Sequence, residues 1–517
     1  AKAAAYRDVG TEGKRTEVLI SAGDNILPGK ELNASIANGV PFFDAIAYDL
    51  IKYDAMIIGN HDFDQGPDVL EDFIRSFRNE SLGSPATALP PFLSANLDVS
   101  KEPGLAALEA DGRIASSTIA EVRGYKIGII GATTPNLPFI TTTRNVMVDI
   151  DVVGAVQREI DALKAKGVTK IILSSHLQGV DEDLALIPML EGIDIAVAGG
   201  GDELLADAGD ELLEGDVPNP DRPYPIIAKD KAGKDIPVVT APGGYDYLGR
   251  LIVKFDARGE IVEILDESGP IANFPGGSGK EAAPAADVQS QVVEPVSEAV
   301  AAVDGNVLGQ AVAGLDGDAD AVRSGETNLG NFTADAVLAK AKELAPSFGT
   351  SVDIAIQNGG GIRDSVPAGD FTEGQTFDIF PFGNVTTVVE GLTPSELKEV
   401  LENAVSKVVL QPDGSVLRQG AGTGRFAQVA GFTFTYDPAS PERMFDADGN
   451  VTSPGSRILD VTLGDGTPLV VGGVPVAGAP SVNVAINNFN AGGGDQYPVL
   501  PDKPQVNLGA PTQTALA

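Results

Sequence analysis

The sequence predicts an α/β protein of two domains. It has 517 residues, about three times the length of a typical single domain, and 43% of them are hydrophobic, which is enough to fill sizeable cores. Short apolar runs alternate with helical patterns in both halves of the chain. Between the halves, residues 274–286 are dominated by Pro, Gly, Ser and Ala, the composition of a linker.

The first half is predicted to form one domain over residues 1–273. A helical pattern occurs at 156–166, and residues 251–265 are typical of a β-hairpin with its turn at 256–260. The other strands, several of which lead into loops carrying Asp, Asn or His, are predicted at 16–22, 55–59, 91–95, 125–131, 170–175 and 193–198.

The second half is predicted to be a smaller α/β domain over residues 304–517. It follows a linker and helix at 274–303, in which the helical pattern occupies 287–303. Its strands are predicted at 353–357, 377–381, 428–436, 457–463 and 482–486.

Composition excludes several classes of partner and site. The chain carries 36 Lys and Arg against 73 Asp and Glu, a formal net charge of −37 at pH 7. Such a field repels nucleic-acid backbones, so no nucleic-acid polymer is expected as a partner. No apolar run approaches the roughly 18 residues of a transmembrane helix. Because the chain has no cysteine, disulfides, thiolate metal sites and cysteine nucleophiles are excluded.

Polar residues follow three predicted strands of the first half. Asp24 follows the first strand, the run from Gly59 to Asp64 (Gly-Asn-His-Asp-Phe-Asp) follows the second, and His176 follows the fifth. Ligands of open α/β sheets bind beyond the carboxyl ends of strands. Oxygen and imidazole donors there suit Zn, Mn, Fe or Mg, and two such ions can clamp an in-line phosphoryl displacement.

A structural interpretation competes with this one. A Gly-Asp pair after a strand is usually a turn, and a lone histidine is more often a hydrogen-bonding residue than a ligand. The chain has only two histidines, however, and both His61 and His176 fall at strand ends of one domain. The coincidence favours a functional site.

These motifs resemble those of the calcineurin-like metallophosphoesterases, and the Gly59–Asp64 run is especially similar to the 5′-nucleotidase branch. The resemblance implies a four-layer metallophosphoesterase β-sandwich flanked by helices. It also implies two divalent metal ions, of which Zn, Mn, Fe, Mg and Ca are not distinguished. Asp24 is implied to bridge them, with Asn60 and His176 as further ligands. His61, held by Asp64, is implied to stabilise the phosphoryl transition state.

Two departures from the family pattern are visible. The family's opening Asp-x-His has no counterpart in residues 1–23. Either that motif lies upstream of Ala1, or the chain is a one-metal or inactive variant. The late Gly-His-x-His of the family corresponds to residues 199–202, where Gly200 replaces the first His and Asp202 replaces the second. Asp202 is therefore expected to be a metal ligand.

A glycine-rich run from Asn358 to Arg363 (Asn-Gly-Gly-Gly-Ile-Arg) follows a predicted strand of the second half. Three glycines allow backbone N–H groups to approach an anion, and the Arg363 guanidinium offers a bidentate fork for phosphate. Phe426 and Phe489 offer two faces for stacking a flat ring, although the usual place of a phenylalanine is the core.

These segments resemble the C-terminal nucleotide-binding domain of the 5′-nucleotidases. Phe380-Pro-Phe-Gly-Asn384 and the run from Phe489 to Pro498 add to the resemblance. It implies a substrate-binding set in which the arginine contacts phosphate, two phenylalanines sandwich the base and an aspartate holds the nucleoside. The set comprises Asn358, Arg363, Asn403, Phe426, Phe489 and Asp495.

The predicted function is metal-dependent hydrolysis of nucleoside 5′-phosphates or related small phosphoesters. The resemblance implies a secreted, periplasmic or cell-surface bacterial protein that scavenges extracellular nucleotides and phosphate. The alternative is a catalytically impaired family member that acts as a nucleotide-binding or cell-surface structural protein. The missing opening motif and Gly200 favour the alternative, whereas the intact Gly59–Asp64 run argues against it.

Overall fold

The computed structural model describes residues 17–77, 89–274, 276, 278–417, 423–445 and 451–517. The first residue of the predicted strand at 16–22, and residues 275 and 277 of the predicted linker, lie outside these ranges. Backbone contacts divide the chain into two compact units: Ala1–Leu27 with Leu32–Ser297, and Pro28–Glu31 with Glu298–Ala517. The division after Ser297 falls within the predicted linker and helix, and the domain limits at 273 and 304 remain our proposal.

Two β-sheets form the centre of the first unit. One has the order β1-β2-β3-β5 with every neighbouring pair parallel. The other has the order β11-β12-β10-β9-β7-β6, in which the four central strands are parallel. The strands of this unit are β1 (Ile20–Ser21), β2 (Ala55–Ile57), β3 (Phe92–Leu93), β4 (Leu97–Asp98), β5 (Ile114–Ala115), β6 (Ser117–Val122), β7 (Tyr125–Thr133), β8 (Met147–Val148), β9 (Ile171–His176), β10 (Ile195–Gly199), β11 (Ile226–Lys229), β12 (Asp235–Val239), β13 (Tyr247–Arg250), β14 (Val253–Phe255), β15 (Ile261–Ile264) and β16 (Gly269–Ala272).

Helices pack on the outer faces of the two sheets. They are α1 (Lys30–Asn38), α2 (Phe43–Ile51), α3 (Pro67–Ser76), α4 (Pro103–Ala110), α5 (Leu137–Ile140), α6 (Val152–Ala165) and α7 (Val180–Leu186). Two further helices follow them, α8 (Ala286–Val288) and α9 (Glu294–Asp304), and neither has a buried residue. One apolar cluster joins α2, α3 and α4 to the first sheet, and another joins α6 and α7 to the second. A small cluster that includes Ile57 and Leu93 from the first sheet and Ile129 from the second fills the space between the sheets. The predicted four-layer sandwich is confirmed.

The second unit is also built on two larger sheets, with the orders β23-β18-β30-β20-β31 and β24-β27-β28-β29. Its helices are α10 (Ala319–Val322), α11 (Asn328–Leu344), α12 (Glu373–Ile379), α13 (Pro394–Ala404) and α14 (Asn488–Ala491). Its strands are β17 (Val307–Ala311), β18 (Ile354–Asn358), β19 (Gly369–Thr372), β20 (Val385–Leu392), β21 (Val409–Leu410), β22 (Val416–Leu417), β23 (Ala427–Ala430), β24 (Phe432–Tyr436), β25 (Arg443–Phe445), β26 (Val451–Pro454), β27 (Ile458–Leu463), β28 (Pro468–Val471), β29 (Val474–Pro475), β30 (Val482–Asn487) and β31 (Gln505–Pro511).

Two sequence-based assignments in this unit were wrong. The apolar run predicted as a strand at 377–381 is the end of helix α12, because Thr372 and Gln375 form a capping box that starts a helix there. Pro381 then disfavours helical continuation at the residue before it. The strand predicted at 428–436 is divided into β23 and β24 at Gly431, whose φ of +82° interrupts the extended backbone.

The remaining predicted elements occur near their expected positions, although the strands predicted at 16–22 and 91–95 are reduced to Ile20–Ser21 and Phe92–Leu93. The expected hairpin is formed by β14 and β15, which pair antiparallel. The predicted helix at 156–166 begins earlier, at Val152, because the side chain of Asp151 caps it by accepting the N–H of Gly154. Among the described residues, no helix combines the length and apolar character needed to cross a membrane.

Candidate active site

The candidate active site of the first unit lies at the carboxyl ends of β1, β2 and β9. The loop after β1 carries Asp24, the loop after β2 carries Asn60 and His61, and β9 ends at His176. A Cβ added at Gly23 would overlap the His176 ring, and a Cβ at Gly59 would overlap the Asp24 carboxylate. These two glycines therefore allow three strand ends to approach one another closely.

Three of the predicted metal ligands converge in this place. His176 Nε2 lies 3.1 Å from Asp24 Oδ2 and 3.0 Å from Asn60 Oδ1. His176 Nδ1 lies 2.7 Å from the carbonyl oxygen of Ala22, so Nδ1 is the ring atom that donates. Nε2 of a neutral ring then carries a lone pair that faces two oxygen atoms.

The charges of this group are strongly coupled. Burial favours the neutral form of Asp24, but the hydrogen bond and charge of His176 outweigh it and lower the pKa of Asp24. Burial likewise acts to lower the pKa of His176, but Asp24 outweighs it and the pKa is raised. A positive charge between these atoms, either a proton or a metal ion, is what the arrangement requires.

The donor set fits a divalent cation. Neighbouring ligand atoms of an octahedral ion with bonds of about 2.1 Å are separated by about 3 Å, which matches the two separations at His176. The hydrogen bond from Nδ1 to a backbone carbonyl is the usual second interaction of a metal-binding histidine. Asp24, Asn60 and His176 would hold the ion.

Asp202 is not part of this group. It is exposed in the loop after β10, where its carboxylate neighbours Gly243. Within the described ranges, no three His, Asp or Glu side chains are arranged to hold a metal ion, and the group at His176 depends on Asn60 as its third ligand. The backbone of Gly200 has a φ of +92° and brings no side chain to His176.

The predicted catalytic pair is assembled after β2. His61 Nδ1 contacts Asp64 Oδ2, and the other carboxylate oxygen of Asp64 accepts the hydroxyl of Thr141 at 2.8 Å. The His61 backbone N–H donates to Asp24 Oδ1 at 2.9 Å, while its side chain is 24% exposed. Burial raises the pKa of Asp64, although the charge of His61 opposes the shift. The Nε2 edge of His61 is thus directed by a buried carboxylate.

Asp62 is a site residue to which the sequence analysis gave no role. Its Oδ1 accepts the backbone N–H of Asn25 at 2.9 Å, and its Oδ2 accepts the N–H of Gly59 at 2.8 Å and the side chain of Asn25 at 3.0 Å. Burial, and then the charge of Asp24, raise its pKa to about 7. Asp62 connects the loops after β1 and β2 by hydrogen bonds. The motif Gly-Asn-His-Asp alone does not show whether its aspartate has such a role or is an exposed surface residue.

A second polar cluster lies in the second unit at the ends of β18 and β30. Asn358 Nδ2 donates to Asp495 Oδ2 at 2.7 Å, and Asn403 Nδ2 donates to the backbone oxygen of Asp495 at 3.1 Å. Arg425, which the sequence analysis did not identify, donates to Asn403 Oδ1 at 3.3 Å and to Gln496 Oε1 at 2.8 Å. Three of the predicted substrate-binding residues are therefore neighbours.

Two of the three glycines in the glycine-rich run direct their N–H groups to the protein backbone rather than toward an anion. The N–H groups of Gly359 and Gly360 donate to the backbone oxygens of Phe426 and Gly424 at 2.7 and 2.8 Å. A Cβ at Gly360 would lie 2.7 Å from Gly424 Cα. The absence of side chains at these glycines allows two backbone segments to pack closely, and this packing engages two of the glycine N–H groups.

The three remaining predicted substrate residues differ in exposure. Arg363 is exposed, and its guanidinium lies 5.6 Å from the centre of the Phe382 ring. Phe489 is half-buried, whereas Phe426 is only 3% exposed and belongs to the apolar core of the unit. Of the two rings expected to sandwich a base, Phe489 offers the accessible face.

Comparisons with known proteins agree in pointing to one family. A family model described as "5'-nucleotidase, C-terminal domain" matches residues 306–502. The solved structure of a 5′-nucleotidase precursor from Thermus thermophilus is 31% identical, with a TM-score of 0.72 over 100% of this chain and 89% of that chain.

Two curated relatives extend the similarity. The trifunctional nucleotide phosphoesterase protein YfkN of Bacillus subtilis is 31% identical over 505 residues, which are 93% of this chain and 30% of YfkN. The 5′-nucleotidase of Homo sapiens is 28% identical over 463 residues, which are 88% of this chain and 71% of that protein. The chain thus spans less than a third of the length of YfkN.

Proposed function

The chain belongs to the 5′-nucleotidase family, and we propose that it hydrolyses nucleoside 5′-phosphates or related small phosphoesters. The observation that carries the proposal is the convergence of Asp24, Asn60 and His176 next to the His61–Asp64 pair. The first unit would perform the phosphoester chemistry. The second unit, whose family model matches residues 306–502, would recognise the nucleoside.

Metal dependence is part of this proposal. Asp24, Asn60 and His176 would hold a divalent cation, which when bound polarises phosphate oxygens and lowers the pKa of an attacking water. Titration of the protein with metal ions, rather than family membership, would determine the number and identity of the bound ions. A second ion would need ligands beyond those that the described residues bring together.

His61 is proposed as the acid–base residue. Its Nδ1 is engaged by Asp64, so a proton on Nε2 is directed outward from the buried pair. Asp64 stabilises the imidazolium, and the Thr141 hydroxyl fixes the carboxylate. His61 would donate the Nε2 proton to the oxygen of the leaving nucleoside as that oxygen gains charge.

The proposal extends to location. A net charge of −37 keeps a protein dispersed in a salt-rich exterior, and nucleotide hydrolysis there recovers phosphate and nucleoside. We therefore propose a secreted, periplasmic or cell-surface role in scavenging. Fractionation of the producing cells, with phosphatase activity measured in each fraction, tests it.

The test of function is phosphate release from AMP with Mg²⁺, Mn²⁺, Zn²⁺ or Ca²⁺ supplied separately. We expect turnover with at least one cation and a loss of about 10²-fold or more in kcat for His61→Asn. Asp68→Asn, an exposed aspartate near the same motif, is the control for Asp64→Asn, which should lose activity. If the wild type shows no turnover with any of the four cations, the proposal that the chain is a phosphohydrolase is rejected.

A second candidate is a nucleotide-binding protein without turnover. Gly200 favours it, because this position brings no side chain to the proposed cation site. Calorimetric titration with AMP separates the candidates. Binding of AMP by the wild type without any phosphate release would establish the second one.

A further inference from the structure

Gln178 is held in an unusual conformation beside the proposed cation site. It lies two residues after His176, and its φ of +90° falls in a region that residues other than glycine rarely adopt. Such backbone strain persists only where the surroundings hold the residue in place. Its side chain reaches Asn60, 118 positions earlier in the chain, with Nε2 at 2.6 Å from Asn60 Oδ1.

The loop after β10 passes close to the backbone of Gln178. A Cβ added at Gly200 would lie 2.8 Å from the backbone nitrogen of Gln178 and 3.0 Å from His176 Nε2. Gly200 therefore contributes close backbone packing and no donor atom. The Gln178 amide is the fourth polar group at the cluster of Asp24, Asn60 and His176.

An amide side chain presents a donor on one side and an acceptor on the other. Rotating the terminal amide of Gln178 by 180° exchanges Nε2 and Oε1 without moving the rest of the side chain. Asn60 Oδ1 has His176 Nε2 at 3.0 Å and the Gln178 amide at 2.6 Å. The first of these separations matches that of two ligands of one cation, and the second places the Gln178 amide next to the same ligand atom.

We propose that Gln178 is a fourth ligand of the cation, through Oε1. The inference rests on the proposed function only in assuming that Asp24, Asn60 and His176 bind a divalent ion. Three oxygen ligands and one imidazole form a harder donor set than the imidazole-rich sites of zinc. The site should therefore accept Mn²⁺ readily, and Mn²⁺ is the probe of choice.

In an alternative arrangement, Gln178 is a hydrogen-bond donor to Asn60 rather than a ligand, and replacement of Gln178 by glutamate tests the difference. In it Gln178 keeps its N–H toward Asn60 and only orients that side chain. Glutamate at this position retains an oxygen of the same reach and cannot donate. Gln178→Glu therefore binds the cation at least as tightly as the wild type if Gln178 is a ligand, whereas weakened binding identifies Gln178 as a donor that the site needs.

The experiment is calorimetric titration of the metal-stripped full chain with Mn²⁺. We expect Gln178→Met, which matches glutamine in length but lacks the oxygen, to weaken binding by about tenfold or more. Gln178→Glu should bind Mn²⁺ at least as tightly as the wild type. Gln157→Met, the same change on helix α6, is the control and should leave the affinity unchanged.

Thermal unfolding in EDTA checks that each variant is folded. If Gln178→Met does not fold, Gln178→Gly removes the amide while relieving the positive φ, and the same loss of Mn²⁺ affinity is expected. Wild-type affinity in the Met or Gly variant, or weakened binding by Gln178→Glu, overturns the proposal. A wild type that binds no Mn²⁺ rejects the cation site itself, whatever the variants do.

Discussion

The Nδ1 atoms of the two histidines have different partners, and this difference underlies the different tasks that we propose for them. Nδ1 of His176 donates to a backbone oxygen, which leaves Nε2 with a lone pair for a cation. Nδ1 of His61 contacts the buried carboxylate of Asp64, which stabilises a protonated ring. We therefore propose that the same side chain serves as a ligand in one place and as an acid in the other.

At the residue scale, nucleoside recognition should depend on Phe489 more than on Phe426. Phe489→Leu is expected to raise KM for AMP about two- to tenfold, the range of one stacking interaction, and to leave KM for a small aryl phosphate unchanged. Phe426→Leu should chiefly lower the free energy of unfolding, because the ring is buried in the core. Steady-state kinetics with both substrates and urea unfolding measure these effects.

Phe348→Leu is the matched control, since this ring is exposed in the same unit. It should alter neither KM nor stability appreciably. Equal increases in KM for AMP and for the aryl phosphate in Phe489→Leu would contradict a role in binding the base.

A buried aspartate should make folding stability depend on pH. Asp183 on α7 is fully buried and accepts the Ser175 hydroxyl at 2.5 Å, and burial raises its pKa to about 7. Below pH 4 both folded and unfolded chains carry the proton. As the pH rises to 7 the unfolded chain ionises first, so stability falls, by up to about 4 kcal/mol.

Asp183→Asn removes this titration while it keeps an acceptor for Ser175. We expect the variant to be more stable than the wild type at pH 8, with a much smaller difference at pH 4.5, when both are unfolded in urea. Asp181→Asn on the same helix is the control, because Asp181 is exposed and paired with Arg222. A difference between wild type and Asp183→Asn that is the same at both pH values would contradict the prediction.

At the scale of elements, the site is made by strand ends rather than by any one loop. The loop after β1 and the loop after β2 touch at Gly59, and Asp62 joins them by accepting N–H groups from both. The strand β9 adds His176 from the other sheet. The sandwich therefore positions the proposed ligands by packing one sheet on the other.

Gly59→Ala should separate these strand ends. Its Cβ would overlap the Asp24 carboxylate, so we expect Mn²⁺ affinity to fall by at least about tenfold, while strand β2 keeps its core packing. Gly209→Ala, where an added Cβ meets open space, is the control. Calorimetry and thermal unfolding measure the two effects. Unchanged affinity in Gly59→Ala would mean that Asp24 is not a ligand.

At the scale of the whole molecule, the net charge of −37 opposes the approach of an anionic substrate. Screening over a Debye length of about 10 Å at 0.1 M salt weakens this repulsion. We therefore expect kcat/KM for AMP to rise about two- to threefold between roughly 10 and 150 mM NaCl. Phosphate release from AMP, assayed at each salt concentration, gives the values of kcat/KM.

Neutral adenosine is the control for the charge effect. Its Kd, measured by calorimetry, should not vary over the same range of salt. A fall in kcat/KM for AMP with added salt would show that positive groups at the site dominate the encounter.

Much of the fold and part of the site could be predicted from the sequence. Alternation of apolar runs and helical patterns is a local property, so it predicted two α/β domains and most strands. It failed at 377–381, where a capping box at the start of the helix outweighs the apolar run. The motifs after β1, β2 and β9 predicted the joining of Asp24, Asn60 and His176, because parallel strands present their carboxyl ends at one edge.

The sequence by itself determined which residues end each strand and hence the candidates for ligand, acid and orienter. Only the tertiary structure decided which of them meet. It joins Asn60 to His176 across 116 positions, brings Gln178 to the same atom and leaves Asp202 outside. It also buries Phe426 and engages the N–H groups of Gly359 and Gly360. The reason is physical: spacing along the chain governs local hydrogen bonding, whereas contacts between distant residues follow from the packing of sheets.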